Sequence, residues 1–219
     1  MNLSLYYAPG ACSFVPHVLL EASGAPFEPR MVKLHKGEQN SDEYRRVNPR
    51  GQVPVLVHDG AVITQIMAIV LHLDQLFPTL GVLPAEPATR AQAISTLAWM
   101  NNTVHPTFTH IFMPQKFSDE AQVQASLRHY NTGLYRGLLA ELQALVQAAG
   151  ARGQAWLSGE RLGALDAYAL TLTRWGTLAG IAPESHPELW AFVQRVAQQG
   201  AVARVIERER LQLDVSPKA

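Results

Sequence analysis

The sequence predicts two domains of different class, a mixed α/β sheet domain over residues 1–77 and an all-helical domain over residues 87–219. Three observations carry that reading. Short apolar runs alternate with a single helical pattern before residue 64. The stretch from Pro78 to Pro87 holds three prolines and little periodicity, so residues 78–86 read as a linker. Beyond it the periodic segments are long, rich in alanine and leucine, and helical in spacing.

The elements follow in order. Leu3 to Tyr7 is an apolar, aromatic run closed by Pro9-Gly10, the pattern of a buried strand and a turn. Ser13 to Ala22 places Val15, Leu19 and Leu20 at helical spacing, with Pro16 in the first turn and Gly24 as the stop. Phe27 to Leu34 reads as a second strand, and Lys36 to Tyr44 as a polar loop. Val53 to Val57 and Ala61 to Ile63 flank Asp59-Gly60, a strong hairpin signal. Thr64 opens a helix that runs through Ile66, Ile69, Val70, Leu73 and Leu76 to about Phe77. A helix between the first two strands implies a parallel pair and the hairpin an antiparallel one, hence a mixed four-stranded sheet. Helices are then expected at Thr89–Val104, Glu120–Ala149, Asp166–Leu178 and Pro187–Glu209, with the tail fraying after about Leu213.

Composition narrows the function. Lys+Arg and Asp+Glu number 18 each, so no basic face for nucleic acid is expected. No apolar run reaches the roughly 18 residues of a membrane span, and Met1 to Leu5 lacks the pattern of a signal peptide. The only cysteine, Cys12, cannot form an internal disulfide, which points to a reducing, cytoplasmic setting. The eight histidines form no defensible metal site: His105 and His110 have no acidic companion at ligand spacing.

Three segments carry possible chemistry. Cys12 stands just after the first strand at the mouth of the first helix, where N–H groups and the helix dipole favour a thiolate. The competing reading is an inert thiol packed in the core. A C-x-x-C pair is absent, because Val15 stands where a second cysteine would be, so a second sulfur must come from outside. In Gly51-Gln52-Val53-Pro54, a cis Val53-Pro54 bond would turn the Val53 backbone toward a cleft, where it could pair with an extended peptide. An ordinary loop proline is the alternative. Thr64-Gln65-Ile66 opens a helix whose free N–H groups could seat a carboxylate, although Thr64 can equally be a plain N-cap.

Taken together, Leu5-Tyr6-Tyr7-x-Pro9-Gly10-Ala11-Cys12-Ser13, Pro16-His17 and Asn48 to Leu56 resemble bacterial glutathione transferases of the beta class. Ala68-Ile69-Val70, His105 and Asp166-Ala167-Tyr168 extend the likeness almost end to end. The resemblance implies a thioredoxin-like N-terminal domain, an all-α C-terminal domain, a homodimer, and glutathione as co-substrate for a small apolar electrophile or disulfide. It implies Cys12 beside the glutathione sulfur and able to form a mixed disulfide, and His105 reaching toward the thiol. Val53 and the cis Pro54 would hold the cysteinyl part, Gln65 and the Ile66 N–H the γ-glutamyl end, and Lys36 the glycine carboxylate. Conjugation, thiol–disulfide exchange and peroxide reduction all fall within such chemistry.

Departures from the family pattern accompany the match. Ile66 stands where a serine or threonine is usual, which deletes a hydroxyl worth roughly 1.5–3 kcal/mol against a charged carboxylate. That feature favours the competing reading, a weakly catalytic binding module for apolar ligands or a protein partner. Ala98 replaces an asparagine, leaving Asn101 and Asn102 as candidates to line the cleft. Gly163-Ala164-Leu165-Asp166 replaces the usual Ser/Thr-x-x-Asp capping box. Phe108 and Phe112 are candidates for one wall of the acceptor site, and Tyr7 or Ser13 for an activating hydroxyl. Cys12 is expected to titrate below the ordinary 8.5 or so, with a protonated His105 adding to the effect.

Overall fold

The structure, a computed structural model, describes residues 1–216. Strand β1 (Leu3–Tyr7), helix α1 (Phe14–Ser23) and strand β2 (Glu28–Met31) form a β-α-β unit, with Ser4 opposite Glu28 and Tyr7 opposite Met31 in parallel register. Strand β3 (Val55–His58) runs antiparallel to β1, with Leu5 opposite Leu56, and turns back into β4 (Ala61–Thr64). The sheet order is β2-β1-β3-β4. Helix α3 (Ile66–Leu76) closes this domain.

The second strand is shorter than the expected span from Phe27 to Leu34, and all its residues are exposed. It is an edge strand carrying Pro29, which cannot donate to a ladder on its free side. The segment expected as a loop contains α2 (Asp42–Val47). Its signals are local: the Ser41 hydroxyl accepts the Tyr44 N–H, Asp42 and Glu43 fill the first turn, and Arg45 and Arg46 the last.

The helical domain comprises α4 (Pro87–Trp99), a π-helical turn (Met100–Val104), α5 (His105–Phe112), α6 (Ala121–Ala151), α7 (Ala164–Leu178), α8 (Pro187–Ala197) and α9 (Gly200–Glu209). The expected Pro187–Glu209 helix is therefore two, broken at Gln198 and Gln199. The expected fraying after Leu213 is not seen as far as residue 216: the Val215 N–H donates to the Thr177 hydroxyl at 3.0 Å. Residues 217–219 lie outside the described part.

One core joins the two domains. Helix α1 is buried from Phe14 to Leu20 because the sheet, α7 and α9 all pack on it. Leu5, Phe14, Ile69, Tyr168 and Leu172 belong to the same apolar cluster. The opposite sheet face carries a smaller cluster of Val32, Tyr44 and Val55. No helix among the described residues is long and apolar enough to cross a membrane.

Candidate active site

Strand register collects the sequence-predicted residues at one end of the sheet. Tyr6 faces Val55, and Val55 faces Thr64. The next positions toward that end are Tyr7 and its loop to Cys12, the Val53-Pro54 pair, and Gln65-Ile66. Strand β2 finishes at the same end, five residues before Lys36, which is exposed on a 3₁₀ turn. The Val53-Pro54 peptide is cis. The Cys12 thiol donates to the Val53 carbonyl oxygen at 3.7 Å, so the cysteine and the expected peptide-binding backbone are in contact.

The state of Cys12 corrects the expectation of a depressed thiol. Cys12 is 9 % exposed, and burial pushes its thiol up to about 12. The N–H groups of Cys12 and Ser13 act in the opposite direction but lose. A helix terminus supplies about 0.3–1 kcal/mol, less than one pKa unit, whereas full burial can shift a group by about 3–5 units. Helix α1 starts inside the shared core rather than at an open mouth, so desolvation wins.

Of the candidate hydroxyls, that of Ser13 is occupied structurally. Ser13 is fully buried, and its hydroxyl accepts the Ala8 N–H at 3.1 Å and donates to the Ala8 carbonyl at 3.2 Å. Tyr7 packs on His17 with ring centroids 4.6 Å apart, and burial, then the nearby Glu209 carboxylate, raise its pKa.

The turn that carries Cys12 is fastened by the helical domain. The Gly10 N–H donates to Glu209 Oε2 at 2.8 Å, and the Gly10 carbonyl accepts Trp175 Nε1–H at 2.8 Å. Gly10 has φ +71°, a conformation that favours glycine, and a Cβ there would also have to displace the Arg174 guanidinium, 2.7 Å away. Glu209 Oε1 accepts His17 Nδ1–H at 2.7 Å with both side chains fully buried. His17 Nε2 accepts from Arg208 at 3.3 Å, so the ring is a neutral Nδ1–H tautomer. Nothing in the sequence marked Glu209: in Glu207-Arg208-Glu209-Arg210 it looks like part of a solvated charge run.

The start of α3 contrasts with that turn. Gln65 occupies its N-cap position with φ 72° and ψ 127°, a strained conformation for a side chain with a Cβ. No side chain caps the helix, which leaves its first N–H groups open to a ligand. Gln65 is exposed. The Ile66 side chain is 3 % exposed and belongs to the shared core.

His105 approaches from the helical domain. The π-helical turn before it introduces a local irregularity of the kind often found at functional sites. His105 Nδ1 lies 2.8 Å from the Tyr168 hydroxyl, and its ring packs 4.7 Å from Trp175, the residue that holds Gly10. Burial, then the Lys116 charge, push its pKa down to about 4, so His105 is neutral at pH 7 and adds no positive charge to the thiol. Half-buried Asn101 accepts a long 3.5 Å hydrogen bond from Tyr168, while Asn102 is exposed. Phe108 stacks between Trp175 and Phe112, at 4.7 and 5.5 Å. This aromatic row leads away from His105 to an open groove of about 1030 Å³ between α5, α6 and the end of α7, edged by Arg128 and Arg136.

The chain matches the family model "Glutathione S-transferase, N-terminal domain" over residues 1–75 and "Glutathione S-transferase, C-terminal domain" over residues 100–200. It is 31% identical over 217 residues to glutathione S-transferase GstA of Escherichia coli O157:H7, covering 95% of this chain and all of that one. A sphingomonad glutathione S-transferase complexed with glutathione superposes with a TM-score of 0.80 and 28% identity, over 95% of this chain and 100% of the other. The bacterial beta class enzyme of Sphingomonas chungbukensis gives 0.81 and 26% over the same shares. With both domain models matched in order and relatives aligned over their full length, this chain belongs to the glutathione S-transferase family.

Proposed function

We propose that this protein is a glutathione transferase: it binds glutathione across the sheet end and joins its sulfur to small apolar electrophiles. The observation that carries the reading is the convergence, at one sheet end, of the Cys12 thiol, the Val53 carbonyl beside a cis proline, and the uncapped start of α3. An extended peptide would pair with the Val53 backbone, with its γ-glutamyl carboxylate on the open N–H groups near Gln65 and Ile66 and its glycine carboxylate near Lys36. Solved relatives bound to glutathione support this ligand.

In conjugation the glutathione thiol gives up its proton, its sulfur bonds to the electrophilic carbon, and the leaving group departs with its electron pair. The proton passes to solvent water, because a His105 with a pKa near 4 is too weak a base to hold it at neutral pH. Cys12, buried and protonated, acts as a neutral neighbour of the sulfur rather than as the nucleophile. Thiol–disulfide exchange at Cys12 is the second reading. It is favoured by the Cys12–Val53 contact and opposed by the raised thiol pKa. The protein is proposed to work as a homodimer in a reducing compartment, and the exposed Phe112, Tyr130 and Leu134 are apolar surface such a dimer would cover.

Calorimetry with reduced glutathione, followed by turnover of a chloronitroaromatic, tests the proposal. Saturable binding with conjugate release is expected. Binding without turnover, or no binding at all, would overturn the transferase reading and favour the binding module for apolar ligands or a protein partner. Light scattering should give twice 24.1 kDa.

A further inference from the structure

The end of the sheet opposite the thiol cleft holds a second group of chemically active side chains. His58 is the last residue of β3, and His72 lies on α3. His58 Nδ1 and His72 Nε2 are 2.9 Å apart, and the two rings meet edge to face with centroids at 5.1 Å. On its far side, His58 Nε2 faces Asp59 Oδ2 at 3.4 Å. Asp59 is held in place, because its Oδ1 accepts the Asn2 N–H at 2.6 Å.

Asp59 lies beside His58 Nε2 and so favours the tautomer with the hydrogen there and a lone pair on Nδ1. In that tautomer the Nδ1 lone pair accepts the Nε2–H of His72. A carboxylate–imidazole pair whose other nitrogen offers a lone pair is the arrangement that orients histidines on metal ions.

We propose that His58 and His72 form a binding site for a divalent, imidazole-preferring transition metal ion of which zinc is the type. His72 would shift its hydrogen from Nε2 to Nδ1 through solvent, with no net proton released, and the ion would then bond to His58 Nδ1 and His72 Nε2 as two neutral imidazoles. Two imidazole nitrogens at about 2.0–2.1 Å from one tetrahedral zinc stand roughly 3.4 Å apart. The pair must therefore open by about half an ångström, and the rings must turn so that both lone pairs point at the ion. His58 keeps 19% of its side chain exposed, which leaves a way in from solvent. Among the described residues no group of three or more histidine, cysteine or acidic side chains is assembled for a metal. Water therefore completes the coordination, and Asp59 supports it from outside. An ion there would tie β3 to α3 and stiffen the sheet domain.

The test is titration of the metal-free full chain with Zn²⁺ by calorimetry, for wild type, His58→Gln and His72→Gln. One ion per chain is expected for wild type, with binding roughly tenfold or more weaker in each variant. Imidazole C–H resonances of the wild type, followed by NMR, give a readout that needs no variant: two of the eight histidines should shift together on saturation. No saturable binding, unchanged binding in both variants, or shifts confined to other histidines would overturn the proposal.

Discussion

The two halves of the cleft are built in opposite ways. In the Gly10–Ser13 turn, the Gly10 N–H and C=O and the Ser13 hydroxyl are all satisfied within the protein, and two partners come from helices α7 and α9. At the start of α3, no side chain reaches the first N–H groups and Gln65 is held in a strained conformation. The first region is finished before any ligand arrives. The second keeps its polar groups open, as a binding surface must, because a buried polar group already satisfied has little to gain from a ligand. Under the proposed function, the difference assigns affinity to the open side and rigidity to the held one.

Breaking the held side should produce the largest effect. Glu209→Ala leaves the buried His17 N–H and the Gly10 N–H without an acceptor, at about 1–3 kcal/mol for each, so a loss of roughly 2–6 kcal/mol is expected. Urea unfolding measures it, and a loss below about 1 kcal/mol would show that the turn does not depend on this carboxylate.

On the open side, Ile66→Ser should separate stability from binding. Removing a buried isoleucine from the shared core is expected to destabilise by about 2–4 kcal/mol. Glutathione affinity should nevertheless rise roughly tenfold if the new hydroxyl reaches the γ-glutamyl carboxylate. Calorimetry below the melting range decides this, and unchanged affinity would mean that the isoleucine was chosen for packing alone.

His105 gives the comparison a pH dependence. Its folded pKa is near 4, against an ordinary value of 6.5. Its contribution is therefore fully present above pH 6.5. As the pH falls below that, the unfolded chain takes up a proton that the folded protein refuses, and stability is lost down to about pH 4. The total is at most about 3 kcal/mol. In His105→Gln the slope of stability between pH 6.5 and 4 should be shallower, by urea unfolding at several pH values; parallel slopes would show that His105 is not held neutral by burial.

How much of this was legible in the sequence depends on the range of the interaction. The order of strands and helices could be read because periodicity and the Asp59-Gly60 turn are local signals. The meeting of Cys12, Val53 and Gln65 followed once the sheet order was known, although the residues were picked by motif. What could not be read was the burial of α1 from three sides, which reverses the expected direction of the Cys12 pKa. Gly163 is similar. The loss of a capping hydroxyl there is made good by Ser158, whose Oγ accepts the Leu165 N–H at 3.3 Å. The glycine is required because a Cβ would come within 2.4 Å of the Val82 carbonyl oxygen. Both facts join residues far apart along the chain, and no local pattern records them.

The smallest expected effect concerns the cysteine itself. If Cys12 is a buried, protonated neighbour of the glutathione sulfur, Cys12→Ala removes one long contact to the Val53 carbonyl and little else. The conjugation rate should then change by less than about threefold, which is under 1 kcal/mol of barrier. A poised thiolate nucleophile would behave differently, since removing a group that acts only in the transition state lowers kcat by orders of magnitude. The wild-type thiol offers a parallel readout. With its pKa near 12, iodoacetamide labelling of the ligand-free protein should keep rising through pH 10 without a plateau. A labelling midpoint below about 8.5, together with a conjugation rate at least tenfold lower in Cys12→Ala, would return the reactive role to Cys12. The held side of the cleft would then be a catalytic element rather than a scaffold for the open one.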